Sequence, residues 1–122
     1  MIFSQTESFR KMHPQEKAVL SLLYKFQQHD FLLHSVNDGE EVYFLGDAEN
    51  KLRARKDAAD VICSVDESWV RIQNNQGGRA TLFIVLGNDD SEILCDYSSS
   101  SQELMQEIDV IAEEFYQQWE KN

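Results

Sequence analysis

The sequence predicts an α+β domain in which one five-stranded, mainly antiparallel sheet is packed with helices in the order α-ββ-α-βββ-α. Three observations predict it. Segments 14–28 and 102–120 repeat apolar residues at helical spacing. Five short stretches rich in β-branched and aromatic residues are joined within two groups by turns of Asn, Asp and Gly, too short for anything but an antiparallel return. A single helical connection crosses between the groups, so one sheet with helices packed on it is the economical solution. At 122 residues the chain matches the usual size of one domain, reads as residues 1–122 without a linker or repeat, and needs no disulfide or metal to fold.

Taken in order, Ser4 and Glu7 have capping-box spacing. Pro14 suits a first helical turn, and Ala18, Val19, Leu22, Leu23 and Phe26 form one apolar stripe of a helix reaching Gln28. Phe31–Val36 and Glu41–Leu45 flank Asn37-Asp38-Gly39 as a hairpin. Asp47 is the expected N-cap of a helix over Ala48–Cys63, with Leu52, Ala59 and Ile62 inward and Ala58 and Cys63 beside them. Trp69–Gln73 alternates, Val70 and Ile72 opposing Arg71. After the loop 74–78, Ala80–Leu86 is apolar almost throughout, the pattern of a central strand covered on both sides. Glu92–Tyr97 follows, with Ile93, Cys95 and Tyr97 opposing Leu94 and Asp96. Ser100 and Glu103 then have capping-box spacing for a helix over Gln102–Glu120, whose Leu104, Ile108, Ile111, Phe115 and Trp119 make a single stripe.

Composition is that of a globular protein, with 42% hydrophobic and 27% charged residues. The longest aliphatic or aromatic run, Leu82–Leu86, is far short of the ~20 residues of a membrane helix, and the first residues lack the apolar segment of a secretory signal. Cys63 and Cys95 sit among apolar neighbours, which fits reduced, buried thiols and a cytoplasmic location.

Charge is distributed unevenly. Residues 1–56 hold eight Asp/Glu and eight Lys/Arg, whereas residues 57–122 hold fourteen Asp/Glu against Arg71, Arg79 and Lys121. The second half therefore carries the whole net charge of −11. Such a surface repels phosphate backbones, which argues against direct nucleic-acid binding, and serves either solubility or the docking of a basic protein. The candidate docking residues are Glu103, Glu107, Asp109, Glu113, Glu114 and Glu120, on the polar side of the last helix.

No residue set carries catalytic or cofactor chemistry by spacing. His29 and His34 with Cys63 and Cys95 match no common zinc pattern. Cys95 beside Asp96 has acids where a reactive thiolate needs a cation. Asn88-Asp89-Asp90-Ser91-Glu92 lacks the spacing and glycine of a calcium loop. Gly77-Gly78 precedes a strand, so no helix dipole would favour a phosphate there. Lys51, Arg53, Arg55 and Lys56 are interspersed with Asp47, Glu49, Asp57 and Asp60 at pairing distance along the helix. No metal or cofactor is expected.

The element order resembles Roadblock-type and longin-like domains, a likeness of topology that brings no functional residues with it. Gly87–Tyr97, GNDDSEILCDY, is similar to a Gly-Asn turn and strand ending Asp-Tyr in small uncharacterised proteins of bacterial mobile elements. The expectation is a non-enzymatic acidic interaction module, in its most concrete form an antagonist or immunity-type protein covering a basic partner. The alternatives are a dimeric Roadblock-like regulator, a secretion-type chaperone, and an enzyme using Asp96, His34 and a buried cysteine.

Overall fold

The structure, a computed structural model, describes residues 13–47 and 49–120, with the side chain of residue 120 excluded. The capping box expected at Ser4 and Glu7 falls outside the described residues. Among these residues three helices and five strands follow in the predicted order: α1 (Glu16–Gln28), β1 (Leu32–Asn37), β2 (Val42–Phe44), α2 (Lys51–Ile62), β3 (Glu67–Gln73), β4 (Arg79–Val85), a 3-10 turn (Asp90–Glu92), β5 (Leu94–Ser99) and α3 (Gln102–Glu120). The strands form one antiparallel sheet ordered β2-β1-β3-β4-β5. The two hairpin groups meet because α2 carries the chain back to lay β3 beside β1.

A single core lies between the helices and one side of the sheet. Leu22, Leu23 and Phe26 of α1, Ala58 and Ile62 of α2, and Ile108, Ile111 and Phe115 of α3 enclose Leu33, Val36, Val70, Ile72, Leu82 and Ile84. On β3 and β4 every second residue is buried, while Trp69, Arg71, Thr81, Phe83 and Val85 between them are exposed or half-exposed. Among the described residues β4 is therefore covered on one side only, contrary to the expectation from its apolar run. Its outward residues are apolar although no described element forms a second layer over them.

Two β-bulges set which residues face inward. His34 is the extra residue between the pairs Leu33–Ile72 and Ser35–Arg71, so Leu33 and Val36 both reach the core from positions three apart. Cys95 is the extra residue where Asp96 pairs with Phe83 and Leu94 with Ile84. This breaks the expected alternation: Leu94 is buried along with Ile93 and Cys95 is exposed, while Tyr97 and Asp96 keep to opposite sides as expected.

Three local expectations are corrected. α2 begins at Lys51, capped by Asn50, whose Oδ1 accepts from the Arg53 N–H at 3.0 Å. Asp47 instead lies buried before it. Leu52, expected inward, is exposed beside Leu20 and Tyr24 in a shallow α1–α2 groove, and the small Ala54 and Ala58 face inward in its place. The cap of α3 is Ser101, one residue beyond the expected Ser100; its Oγ accepts from the Leu104 N–H at 3.1 Å.

Candidate interaction surfaces

The uncovered side of the sheet carries two rows of side chains across all five strands. The registers give one row as Val42, Asn37, Trp69, Phe83 and Asp96, and the next as Phe44, Ser35, Arg71, Thr81 and Ser98. The first is dominated by Trp69 stacked on Phe83, with ring centroids 5.1 Å apart and planes 22° from parallel. Phe44 is 75% exposed at the edge, held edge-on against His34 with ring centroids 5.6 Å apart. A shallow concavity of about 560 Å³ runs over Val42, Phe44, Trp69 and Arg71, with its floor at Ser35 and Asn37.

Nothing in the charge pattern points to this face, although β3 carries its signal. Trp69 and Arg71 share the side opposite Val70 and Ile72, and no polar residue on β4 answers the tryptophan.

Arg71 and Arg79 are the only Lys or Arg from residue 57 to residue 120, and both project from this uncovered side. Arg71 pairs with Thr81, and Arg79 with Gln73, which makes the two arginines diagonal neighbours roughly 7–8 Å apart. Among the described residues neither forms an ion pair, in a chain with twice as many acids as bases. Together with Thr81, Ser98 and Ser100 they line a second concavity of about 290 Å³, which adjoins the first through Arg71 and Thr81.

On the opposite side of the molecule, the acidic residues of α3 flank a strip of exposed helix rather than forming one cluster. Glu103 and Glu107 are exposed, and Val110, 56% exposed, lies in the middle of the strip. Glu113 accepts from the Gln117 amide at 3.0 Å. Glu114 meets His29 Nε2 at 3.3 Å and Lys25 Nζ at 3.8 Å, so it ties α3 to α1. Asp109 accepts a hydrogen bond from the Tyr97 hydroxyl. Burial, followed by this bond, pushes the Tyr97 phenol up to about 12. The side chain of Glu120 lies outside the described residues.

The other candidate chemistry is dispersed. Asp96 projects from β5 and His34 from β1, with β3 and β4 between them. Three strand spacings amount to roughly 14 Å, too far for the two to act on one atom. Among the described residues no three His, Cys, Asp or Glu side chains converge as a metal site. Asp38 accepts from the Glu40 and Glu41 N–H groups at 2.9 and 2.8 Å, which lowers its pKa and shapes the β1–β2 turn, where Gly39 has φ +101°. Arg55 donates to Gln27 at 2.6 Å and lies over the Tyr24 ring, while Arg53 faces Asp57, so half of the basic group on α2 is engaged within the helix layer.

Asp47 holds the loop before α2 against the core. It is 2% exposed, and its Oδ2 accepts from the Leu33 N–H at 2.7 Å and from Gln27 Nε2 at 2.9 Å. At the other end of α1, Gln15 accepts from the Gly87 N–H at 2.6 Å and donates to the Asn88 carbonyl at 2.8 Å. These buried polar residues tie α1 down at both of its ends, holding it in the helix layer. No helix among the described residues is long and apolar enough to cross a membrane. No protein-family model, curated protein or solved structure matches this chain.

Proposed function

We propose that the protein works by binding another protein through the uncovered side of its sheet, rather than by turnover. One observation carries this reading: Val42, Phe44 and Trp69 line one concavity across Ser35 and Asn37 of β1, with Phe83 stacked on Trp69 beside it, on a side that no element of the described chain covers. Covering it with a partner removes apolar area from water at about 25 cal/mol per Å². The acidic second half supports a basic partner, in the manner of an antagonist or immunity-type protein, because a net charge of −11 steers cationic surfaces toward it over a screening length of ~8–10 Å. On α3, Glu103, Glu107 and Glu113 are the carboxylates best placed for that steering, since Asp109 and Glu114 are engaged with Tyr97 and with Lys25 and His29. The Roadblock-type alternative would dimerise through an apolar helix face, and the described helices offer Tyr24 and Leu52 in the shallow α1–α2 groove and Val110 by itself on α3, against Val42, Phe44, Trp69 and Phe83 on the sheet.

The test is affinity capture from cells that express the protein, with wild type and a Phe44→Ser/Trp69→Ser variant as baits. A partner retained by wild type and lost by the folded variant supports the reading. Equal capture by both removes the sheet face from the account. Charge reversal at Glu103, Glu107 and Glu113 is expected to slow association most at low salt, read as on-rates for the captured partner.

A further inference from the structure

We infer that the uncovered sheet face takes an extended segment of the partner that presents a large apolar side chain to Trp69 and Phe83 and, two residues along, an acidic side chain to Arg71 and Arg79. This rests on the reading of that face as the docking surface and adds which kind of segment it selects.

Three observations carry it. The first is charge. In a half-chain with fourteen acids, both described cations occur side by side on the one apolar face and pair with no carboxylate of the described chain. Each guanidinium is exposed and presents donors in a planar fork suited to an oxyanion. The hydroxyls of Thr81, Ser98 and Ser100 beside them add donors of the same kind.

The second is spacing. Trp69 and Arg71 lie two residues apart on β3 with Val70 buried between them, so their side chains leave the sheet roughly 6.8 Å apart. An extended chain repeats its side chains on one side at the same interval. A segment lying along β3 therefore sets residue i over the aromatic pair when residue i+2 reaches the arginines.

The third is shape. A small molecule is ordinarily held in a cleft that buries most of its surface. Both concavities here are open and meet at Arg71 and Thr81, which suits a chain laid along β3 from the aromatic pair to the arginines. The acidity of the whole protein and this anchor act at different ranges. Net charge steers a basic partner from a distance, whereas the arginine pair selects the carboxylate that reaches the face.

The experiment maps the binding of capped five-residue peptides onto isotope-labelled full-length protein by NMR, following the Trp69 indole, the Arg71 and Arg79 Nε–H signals and the backbone. The parent peptide is valine, phenylalanine, threonine, glutamate, valine. One relative has lysine for glutamate, one has glutamate moved next to phenylalanine, one has phosphoserine for glutamate, and acetate alone is the fifth probe. The parent is expected to shift Trp69, Arg71 and Arg79 together, and Arg71→Gln/Arg79→Gln to weaken it roughly three- to tenfold. Arg53→Gln, at an exposed arginine outside the face, should leave the affinity unchanged. Equal or tighter binding of the phosphoserine peptide at the same residues supports the same oxyanion chemistry with a modified partner side chain.

Several results would overturn the inference. If the lysine peptide binds the face as well as the parent does, the face docks proteins but has no anionic anchor. If the displaced glutamate costs nothing, or acetate alone shifts the arginines as strongly as the peptide, the two-residue match carries no selectivity. If no peptide reaches the face while the cellular partner still requires Trp69, the docking surface stands and the extended segment is wrong.

Discussion

The two sides of one sheet are built from alternate residues of the same strands, yet they serve different ends. Toward the helices, β3 and β4 offer Val70, Ile72, Leu82 and Ile84, each fully buried. Away from the helices the same strands offer Trp69, Arg71, Thr81 and Phe83, which are large, partly polar and incompletely covered. Aliphatic residues pack without directional demands. Aromatic rings and guanidinium groups present flat faces and fixed donors that reward a particular neighbour. The contrast separates what folds the domain from what it shows to its surroundings, and substitutions on each side test that separation.

The largest effects belong to the covered side. Ile111→Asp buries a carboxylate without a partner between α3 and the sheet and should cost roughly 3 kcal/mol or more, against less than ~0.5 for Glu113→Lys on the exposed side of the same helix. Leu82→Ala should cost about 2–5 kcal/mol, whereas Phe83→Ala, its neighbour on the open side, should cost about 1. Denaturant unfolding reads all four; a Phe83 cost matching that of Leu82 would mean that the two sides are not distinct in energy.

Asp47→Ala sharpens the account of what holds the helix layer in place. It leaves the Leu33 N–H buried without an acceptor and takes from the Gln27 amide one of its two acceptors, the Lys51 carbonyl remaining, at a cost of roughly 2–3 kcal/mol. Asp47→Asn keeps a side-chain oxygen in reach of the same donors and should lose less. Equal losses would show that the hydrogen bonds are not what matters.

A smaller effect concerns Tyr97 at the junction of β5 and α3. Its phenol is raised from 10.0 to about 12 in the folded protein, so the folded state keeps a proton that the unfolded state releases. Its contribution to stability is complete below pH ~10 and is lost as pH rises toward ~12. Asp109→Asn removes the carboxylate that accepts from the phenol, and the phenolate absorbance should then titrate at lower pH. It should still titrate above the ordinary value, because burial is the larger cause. An unchanged titration would remove Asp109 from the explanation.

Much of the fold was legible in the sequence because amphipathic periodicity reports burial directly. The stripe of Leu104, Ile108, Ile111 and Phe115 and the alternation of Val70 and Ile72 both appear in the core. Three local readings failed for physical reasons. Bulges at His34 and Cys95 break the two-residue period, and nothing in composition announces an extra residue in a strand. Asp47 has the chemistry of a cap and is used as a buried acceptor, a choice that depends on where Gln27 and Leu33 arrive. Apolar residues along almost all of Ala80–Leu86 suggested cover on both sides, because composition does not distinguish an exposed apolar surface from a packed one. The acidic residues of α3 were legible one by one, but the contacts that engage Asp109 and Glu114 come from Tyr97, Lys25 and His29, far away in sequence.

The most direct test of the central claim replaces Val42 and Phe44, at the exposed edge of the open side, by threonine, which keeps strand propensity and removes apolar area. Unfolding free energy and partner capture are measured on the same Val42→Thr/Phe44→Thr protein. A face reserved for binding predicts a stability change under ~1 kcal/mol together with a clear loss of capture. A loss of more than ~2 kcal/mol with capture retained would show that these residues hold the domain together and that the partner binds elsewhere.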